Sequence, residues 1–169
     1  MRIILIGTNH RHQIIGCPEG ETASFENFLR QTISTYAVQA LAEELNEEAI
    51  TLWHGHDSTA RKLAQSLGIT HLFCDPTIQE RTQIGIPTNV QIRTKLGFGS
   101  AMTSIEVERL DAELRNHWPA RETYWLDRLR SICCNECLFI LGSDHVQSFK
   151  DLLTAHQIEA YIAHEDWLP

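Results

Sequence analysis

Short apolar runs alternate with amphipathic stretches along this chain, and the alternation predicts strands followed by helices. The apolar runs that predict strands cover residues 2–7, 38–42, 70–74, 137–141 and 158–162. Apolar side chains at helical spacing predict helices within residues 22–36, 60–67, 107–118, 125–133 and 144–153. Strands that alternate with helices indicate an α/β fold in which helices flank a largely parallel sheet.

Three segments need a further interpretation. Residues 38–42 run into the acidic stretch 43–48, where local propensity favours helix, so strand and helix both remain open there. Residues 76–100 hold two prolines and three glycines without sustained periodicity, which indicates either a long irregular lid or binding loop or an element that the pattern misses. Residues 165–169 are expected to form a tail after the last strand.

The composition narrows the class of protein. The 169 residues suit one compact domain, residues 1–169, with a buried core. A formal net charge of −8 argues against non-specific binding to nucleic acid, which needs clustered Lys and Arg. Five cysteines without an export signal or a membrane-spanning apolar run predict free thiols in the cytoplasm, away from the membrane. Nothing in the composition specifies an oligomeric state.

One motif occurs twice, each time at the end of a predicted strand. The first copy is Gly7-Thr8-Asn9-His10 and the second is Gly142-Ser143-Asp144-His145. Ligands and catalytic groups of open α/β sheets gather beyond the carboxyl ends of strands, so the two histidines predict one composite site. In an extended segment His12 would point the same way as His10 and join it.

Carboxylates follow two other predicted strands. If residues 38–42 form a strand beside the first one, either Glu43 or Glu44 reaches the same rim as His10, and the register decides which. Such a carboxylate ligates a metal or polarises a water. Asp75 ends the third strand, either as a site residue or as a turn-forming Asp before Pro, and Arg81 is either an anion clamp or a surface arginine.

A helix start supplies the remaining candidates. Arg121 and Glu122 flank the apolar stripe of the helix that contains Trp125, so they face a cleft or partner, or Glu122 serves only the helix dipole. The amides beside His145 offer an anion or oxyanion site. The candidate ligands for a divalent metal are His10, His12, Glu44 and His145.

The cysteines do not form a recognisable zinc motif. Cys134 and Cys137 make a Cys-x-x-Cys, but a zinc site usually needs a second ligand pair, and no pair with suitable spacing is nearby. Cys133 fits a helix stripe and Cys137 begins a strand, so packing in the core is the favoured interpretation.

The order of these motifs resembles a clan that includes TraB, the TIKI proteases, the erythromycin esterases and ChaN. The resemblance rests on Gly7-Thr8-Asn9-His10, on Glu43-Glu44 after a strand, on Arg121-Glu122 at a helix start, and on the closing Gly142-Ser143-Asp144-His145 unit. It covers most of the chain in outline. It implies mixed chemistry: TIKI-like members are metal-dependent peptidases, erythromycin esterases use His and Glu without an obligatory metal, and ChaN-like members bind haem.

Two hypotheses follow. The first is a hydrolase, peptidase-like or esterase-like, that acts on a small molecule or a peptide. His10, Glu43 or Glu44, and His145 surround a water, with or without a divalent metal, and Arg121 and Arg81 stabilise the oxyanion. The second is a non-catalytic cytoplasmic binding or regulatory protein that holds an anionic ligand or a partner segment in the same cleft.

Overall fold

The α/β fold is confirmed by a computed structural model, which describes residues 1–18 and 20–169. Its strands, in chain order, are β1 (Arg2–Thr8), β2 (Ile14–Ile15), β3 (Ala40–Glu43), β4 (Asp57–Ser58), β5 (Thr70–Phe73), β6 (Glu136–Gly142) and β7 (Glu159–Trp167). Its helices are α1 (His10–Gln13), α2 (Thr22–Tyr36), α3 (Glu47–Leu52), α4 (Thr59–Leu67), α5 (Ile78–Gln83), α6 (Asn89–Lys95), α7 (Ser104–Arg115), α8 (Trp118–Leu129) and α9 (Val146–Ala155). A 3₁₀ turn, Ser143–His145, joins β6 to α9.

Five strands form one wholly parallel sheet in the order β5-β3-β6-β1-β7. Residues 40–43 are therefore a strand, as the apolar run predicts. The condition that this strand lies beside the first is not met, because β6 is inserted between β3 and β1. The insertion makes neighbours of the two strands that end in Gly-x-x-His, with Thr8 paired to Gly142.

Each face of the sheet is covered by helices. Alternate residues of the strands point to opposite faces, so Ile3 and Leu5 pack with α8 and α9 while Ile4 and Ile6 pack with α2 and α4. Strands buried on both faces require continuous apolar sequence, which explains the uninterrupted runs of β1 and β6.

The segment 76–100 contains two short helices, so the irregular-loop interpretation is wrong and the missed-element alternative is correct. Helix α5 begins at a capping box in which Thr77 and Glu80 bond each other's backbone amides. Helix α6 begins in the same way with Thr88 and Gln91. Both boxes are Thr-x-x-Glu/Gln motifs that are readable in the sequence, and neither helix is long enough to show a clear period.

The ends of other elements also differ from expectation. Strand β7 continues to the buried Trp167, so the predicted tail from residue 165 is wrong. Helix α8 ends at Leu129, before Cys133. The sequence Asp144-x-x-Gln147 resembles a capping box, but Gln147 bonds Asp151 and the helix start has no side-chain cap. Among the described helices, none combines the length and the apolar character that crossing a bilayer requires.

Candidate functional site

A cavity of about 540 Å³ opens at the carboxyl end of the sheet, where the chain after β1 and the chain after β6 leave in different directions. This is the topological switch point, at which open α/β sheets hold their ligands. The lining residues are Thr8, Asn9, His10, Glu44, Trp53, Asp111, Leu114, Arg115, Trp118, Arg121, Gly142, Ser143, Asp144, His145, Asp166 and Leu168. The cavity therefore brings His10, Glu44, Arg121 and His145 together, as the sequence predicts.

His10 is positioned by a single helical turn. Asn9 accepts a hydrogen bond from the Arg11 amide and so caps α1, which directs His10 to the cavity with 29% of its side chain exposed. The Gln13 side chain, three residues on, contacts Nδ1 of His10 at 3.1 Å. Nε2 of His10 then lies 3.6 Å from Glu44 Oε1.

The prediction that His12 joins His10 is wrong. Positions i and i+2 point the same way only in an extended segment, and residues 10–13 are helical. His12 is buried instead against Trp167, with ring centroids 5.5 Å apart, and its Nδ1 accepts from the Glu21 amide. Burial, the main cause, lowers the pKa of His12 from its usual value.

Glu44 is the carboxylate that reaches the cavity, and Glu43 does not. Oε2 of Glu44 accepts the Gly142 amide at 2.7 Å, and Oε1 lies 2.8 Å from Arg121 Nη2. Glu43 is the last residue of β3 and points to the other face of the sheet, where it accepts from Ser58 and contacts His71 Nε2 at 2.7 Å. The alternation along the strand thus separates the two glutamates.

The charges around Glu44 shift the pKa values of both Glu44 and His10. Burial by itself would raise the pKa of Glu44, but Arg121 and His10 outweigh it and hold that pKa far below its usual value. Burial would likewise lower the pKa of His10, but the negative charge of Glu44 and its contact with the ring raise that pKa above the ordinary value. Glu44 is therefore an anion and a weak base, and the His10 ring holds its proton more firmly than an ordinary histidine does.

Asp75 connects the cavity wall to the helical segment beyond it. Its Oδ1 accepts from Arg121 Nε at 2.6 Å and from the Trp125 indole at 3.2 Å, while its Oδ2 accepts from Arg81 at 2.8 Å. Asp75 and Arg81 thus do not line this cavity. They hold Arg121, whose pKa stays raised because Glu44 and Asp75 outweigh the effect of its burial.

A second histidine–carboxylate pair, His145 with Glu122, lies at the wall of the same cavity. Nδ1 of His145 lies 2.8 Å from Glu122 Oε1, which also accepts from Ser148 at 2.6 Å. The imidazole is held between Trp118 and Trp125, whose ring centroids lie 4.2 and 4.9 Å away. The sequence did not predict this pairing, because residues 122 and 145 come from different elements and meet only in the folded chain.

The two motif glycines serve different purposes. A Cβ on Gly7 would lie 1.8 Å from the Glu165 carbonyl oxygen, so β7 packs directly on this backbone. A Cβ on Gly142 would meet only Glu44 Oε2 at 3.4 Å and His10 Nε2 at 3.6 Å. Gly7 is therefore required for packing, whereas Gly142 leaves space beside the reactive groups.

The predicted set of metal ligands does not fit a metal. His12 is elsewhere, and the Arg121 guanidinium stands 2.8 Å from Glu44, where it opposes a second cation. Within residues 1–18 and 20–169, no three side chains of His, Cys, Asp or Glu gather as a metal site. We therefore derive no chemical step through a metal at this site.

Several cavity residues were not singled out by the sequence pattern. Trp118 and Arg115 come from the junction of α7 and α8, and Asp166 comes from the strand end that was expected to be a tail. Asp111, Asp144 and Asp166 add three carboxylates to the lining. Residues of these kinds are common on any surface, so only the fold identifies them.

The chain matches no family model, and comparison with curated proteins and with solved structures found no match either.

Proposed function

We propose that the chain is a hydrolase, esterase-like or peptidase-like, in which His145 takes the proton of the attacking water. The observation that carries the proposal is the 2.8 Å contact between His145 Nδ1 and Glu122 on the wall of a cavity that also holds His10 and Arg121. The substrate is a small molecule or a peptide of a size that the cavity of about 540 Å³ accepts.

The geometry of the Glu122–His145 pair suits a general base. A carboxylate that accepts the Nδ1 proton keeps the imidazole in one tautomer, leaves Nε2 without a proton and stabilises the imidazolium that forms. Ser148 and the two tryptophans hold this pair in place and exclude water from the sides of the ring. Nε2 is then the atom of His145 that accepts the proton.

His10, Arg121 and Glu44 take the complementary roles. Glu44 is too weak a base for proton abstraction because its pKa is strongly lowered. The raised pKa of His10 extends its protonated form to higher pH than in an ordinary histidine, and in that form His10 can stabilise an oxyanion or give a proton to the leaving group. Arg121 adds a fixed positive charge, and Glu44 keeps both cations in position.

The test is a turnover screen over esters, lactones and peptides with wild type and three variants. We expect Glu122→Gln and His145→Gln to lower kcat by about 100-fold or more, the usual range for general-base catalysis. His56→Gln, a change at an exposed histidine, serves as the control and should leave kcat unchanged. Full turnover by a folded His145→Gln variant would rule out this role.

The alternative, a non-catalytic protein that holds an anionic ligand, has less support. Glu44 already accepts the Gly142 amide and pairs with Arg121, so the protein's own carboxylate fills the position that an anion was expected to take. Three further aspartates line the cavity and oppose a second anion. Tight binding of an anionic ligand by a protein that turns over none of the screened substrates would favour this alternative.

Relationship to the TraB, TIKI, erythromycin esterase and ChaN clan is part of the same proposal. It is supported by the placement of His10, Glu44 and His145 at three strand ends around one cavity. The metal-independent chemistry of the erythromycin esterases is the closest parallel to the residues present. A cytoplasmic location is proposed from the five free cysteines.

A further inference from the structure

The amino end of β6, at the opposite end of the sheet from the cavity, carries a pair of cysteines that the proposed hydrolase does not use. Cys134 precedes β6 and is partly exposed, while Cys137 lies inside β6 and is fully buried. Each thiol shifts the pKa of the other, so the two side chains are neighbours. The seven residues of β6 place this pair about 20 Å from the cavity at the other end of the strand.

The backbone around the pair is held on both sides. The Asn135 amide donates to the Gln39 side chain at 2.8 Å, and the Asn135 carbonyl accepts from the Arg2 amide at 2.7 Å. The Glu136 carbonyl accepts from the Gln39 amide. The turn between the two cysteines is therefore ordered before any bond joins them, so little conformational entropy remains to be lost when a disulfide closes.

We propose that Cys134 and Cys137 form a reversible dithiol–disulfide site, in which Cys134 is the attacking thiol and Cys137 the resolving thiol. The oxidant is a small-molecule disulfide such as oxidised glutathione. The proposal rests on the Cys-x-x-Cys spacing, the ordered turn that joins the two residues, and the exposure of only one of the two thiols. It does not depend on the proposed hydrolase activity.

The electrostatics of the pair agree with this assignment. The hydrogen bond from Cys137 lowers the pKa of Cys134 to about 7, so a large share of this thiol is ionised at neutral pH. The same hydrogen bond, followed by burial, raises the pKa of Cys137. Sγ of Cys137 also lies 3.8 Å from the Leu138 carbonyl oxygen, a long contact that competes poorly with a thiolate as acceptor.

The reaction balances in two exchanges. The Cys134 thiolate attacks one sulfur of the oxidised glutathione, forms a mixed disulfide and releases one glutathione thiolate. Cys137 then loses its proton and attacks Sγ of Cys134, which closes the protein disulfide and releases the second glutathione. The protein dithiol is oxidised by two electrons, one glutathione disulfide is reduced to two thiols, and the reverse reaction restores the dithiol.

The experiment treats the full chain with oxidised glutathione, blocks free thiols by alkylation and maps the disulfides by mass spectrometry. Wild type should yield a Cys134–Cys137 link and release two glutathione thiols per chain. Cys133→Ser is the matched control, because it removes the adjacent exposed cysteine and should still form the link. Cys134 and Cys137 that stay free in oxidised wild type, or a link that involves Cys133, would overturn the proposal.

Two variants identify the order of attack. Cys137→Ser should accumulate a glutathionyl adduct on Cys134, since no resolving thiol remains. Cys134→Ser, a change at a partly exposed position, should form neither the adduct nor the link. An adduct on Cys137 or Cys133 in either variant would contradict the assignment, and far-ultraviolet circular dichroism shows that each variant is folded.

A kinetic measurement tests wild type without any substitution. The rate of Cys134 alkylation should rise with pH around a midpoint of about 7. At pH 7 about half of Cys134 is thiolate, against about 3% of a thiol whose pKa is about 8.5. Lower basicity reduces intrinsic reactivity about fivefold, so Cys134 should react about threefold faster than a model cysteine peptide. A midpoint near 8.5 and no rate advantage would overturn the proposal.

Discussion

The two glycines of the repeated motif show how identical sequence contexts give different constraints. Gly7 lies under the backbone of β7, and Gly142 faces an open cavity beside His10. The local sequence is the same apolar run followed by Gly, so no pattern along the chain separates the two. The difference arises because β7 continues alongside Gly7 as far as Trp167, whereas β3 ends at Glu43, opposite Ile140, and leaves Gly142 beside the cavity.

We predict opposite outcomes for Gly7→Ala and Gly142→Ala. Gly7→Ala drives a methyl group to 1.8 Å from the Glu165 carbonyl oxygen. It should lower the free energy of unfolding by about 3 kcal/mol or more, at the upper end of overpacking costs. The backbone of Gly142, at φ −61° and ψ 137°, suits alanine, so Gly142→Ala should fold normally and reduce turnover by filling space beside His10. Urea unfolding and steady-state kinetics give the two readouts, and equal stability loss would contradict the distinction.

The His10–Glu44 pair should make the free energy of unfolding depend on pH. The pKa of His10 is raised in the folded chain, so the pair contributes stability that is fully present below the unfolded value of about 6.5. That contribution is lost as pH rises through the raised folded pKa, when the imidazolium loses its proton. Unfolding free energies of wild type should therefore fall across this window, and those of His10→Gln should fall less.

An independent measurement checks the same group. An NMR titration of the His10 ring should give a pKa above the ordinary histidine value. A His10 titration at or below 6.5 would contradict the electrostatic assignment of the site.

At the scale of elements, the sequence predicts best where periodicity is long or where caps are explicit. Helix α2 spans the predicted 22–36, and α4 begins after Ser58 and ends at the left-handed Gly68. The short helices α5 and α6 were missed because six or seven residues show little more than one period. The end of β7 was missed because its polar residues 164–166 conceal a strand that carries Trp167 inward.

Two neighbouring residues at the end of β7, one buried and one exposed, should differ in their contribution to stability. Trp167 packs against Phe25, Phe28 and His12, with ring centroids 4.9, 5.8 and 5.5 Å away. Trp167→Ala should lower the unfolding free energy by about 3–5 kcal/mol, as for other buried aromatic truncations. Leu168→Ala, one residue on and 64% exposed, should change it by less than about 0.5 kcal/mol. Similar losses in both variants would mean that this strand end does not pack as described.

At the scale of the whole molecule, one strand insertion assembles the site. Placing β6 between β1 and β3 brings the ends of β1, β6 and β3 side by side, and Asp75 after β5 extends the row. Helix α8 crosses these ends and delivers Arg121 and Glu122 on consecutive residues to different partners. The strand order thus brings four motifs that are separate in the sequence together in one site.

Asp75 should be the most costly charge to remove, since it joins helices α5 and α8 to the sheet. Asp75→Ala leaves two part-buried guanidinium groups with lost partners, and we expect a loss of about 3–5 kcal/mol of unfolding free energy. Asp127→Ala breaks only the exposed pair with Arg130 and should cost at most about 1 kcal/mol. Denaturant midpoints with a common slope measure both, and a cost for Asp75 as small as that for Asp127 would contradict the network.

The sequence by itself determined the α/β class, four of the five strands of the parallel sheet, and His10, Arg121, Glu122 and His145 as candidates. The apolar runs of buried strands and the polar residues at strand ends can be recognised locally. The sequence left the choice between Glu43 and Glu44 open, and it wrongly grouped His12 with His10. Only the tertiary structure decided strand order, the Glu122–His145 pair and the separation of the two glutamates. The physical reason is that strand order and cross-element contacts depend on interactions between distant residues, which no local periodicity encodes.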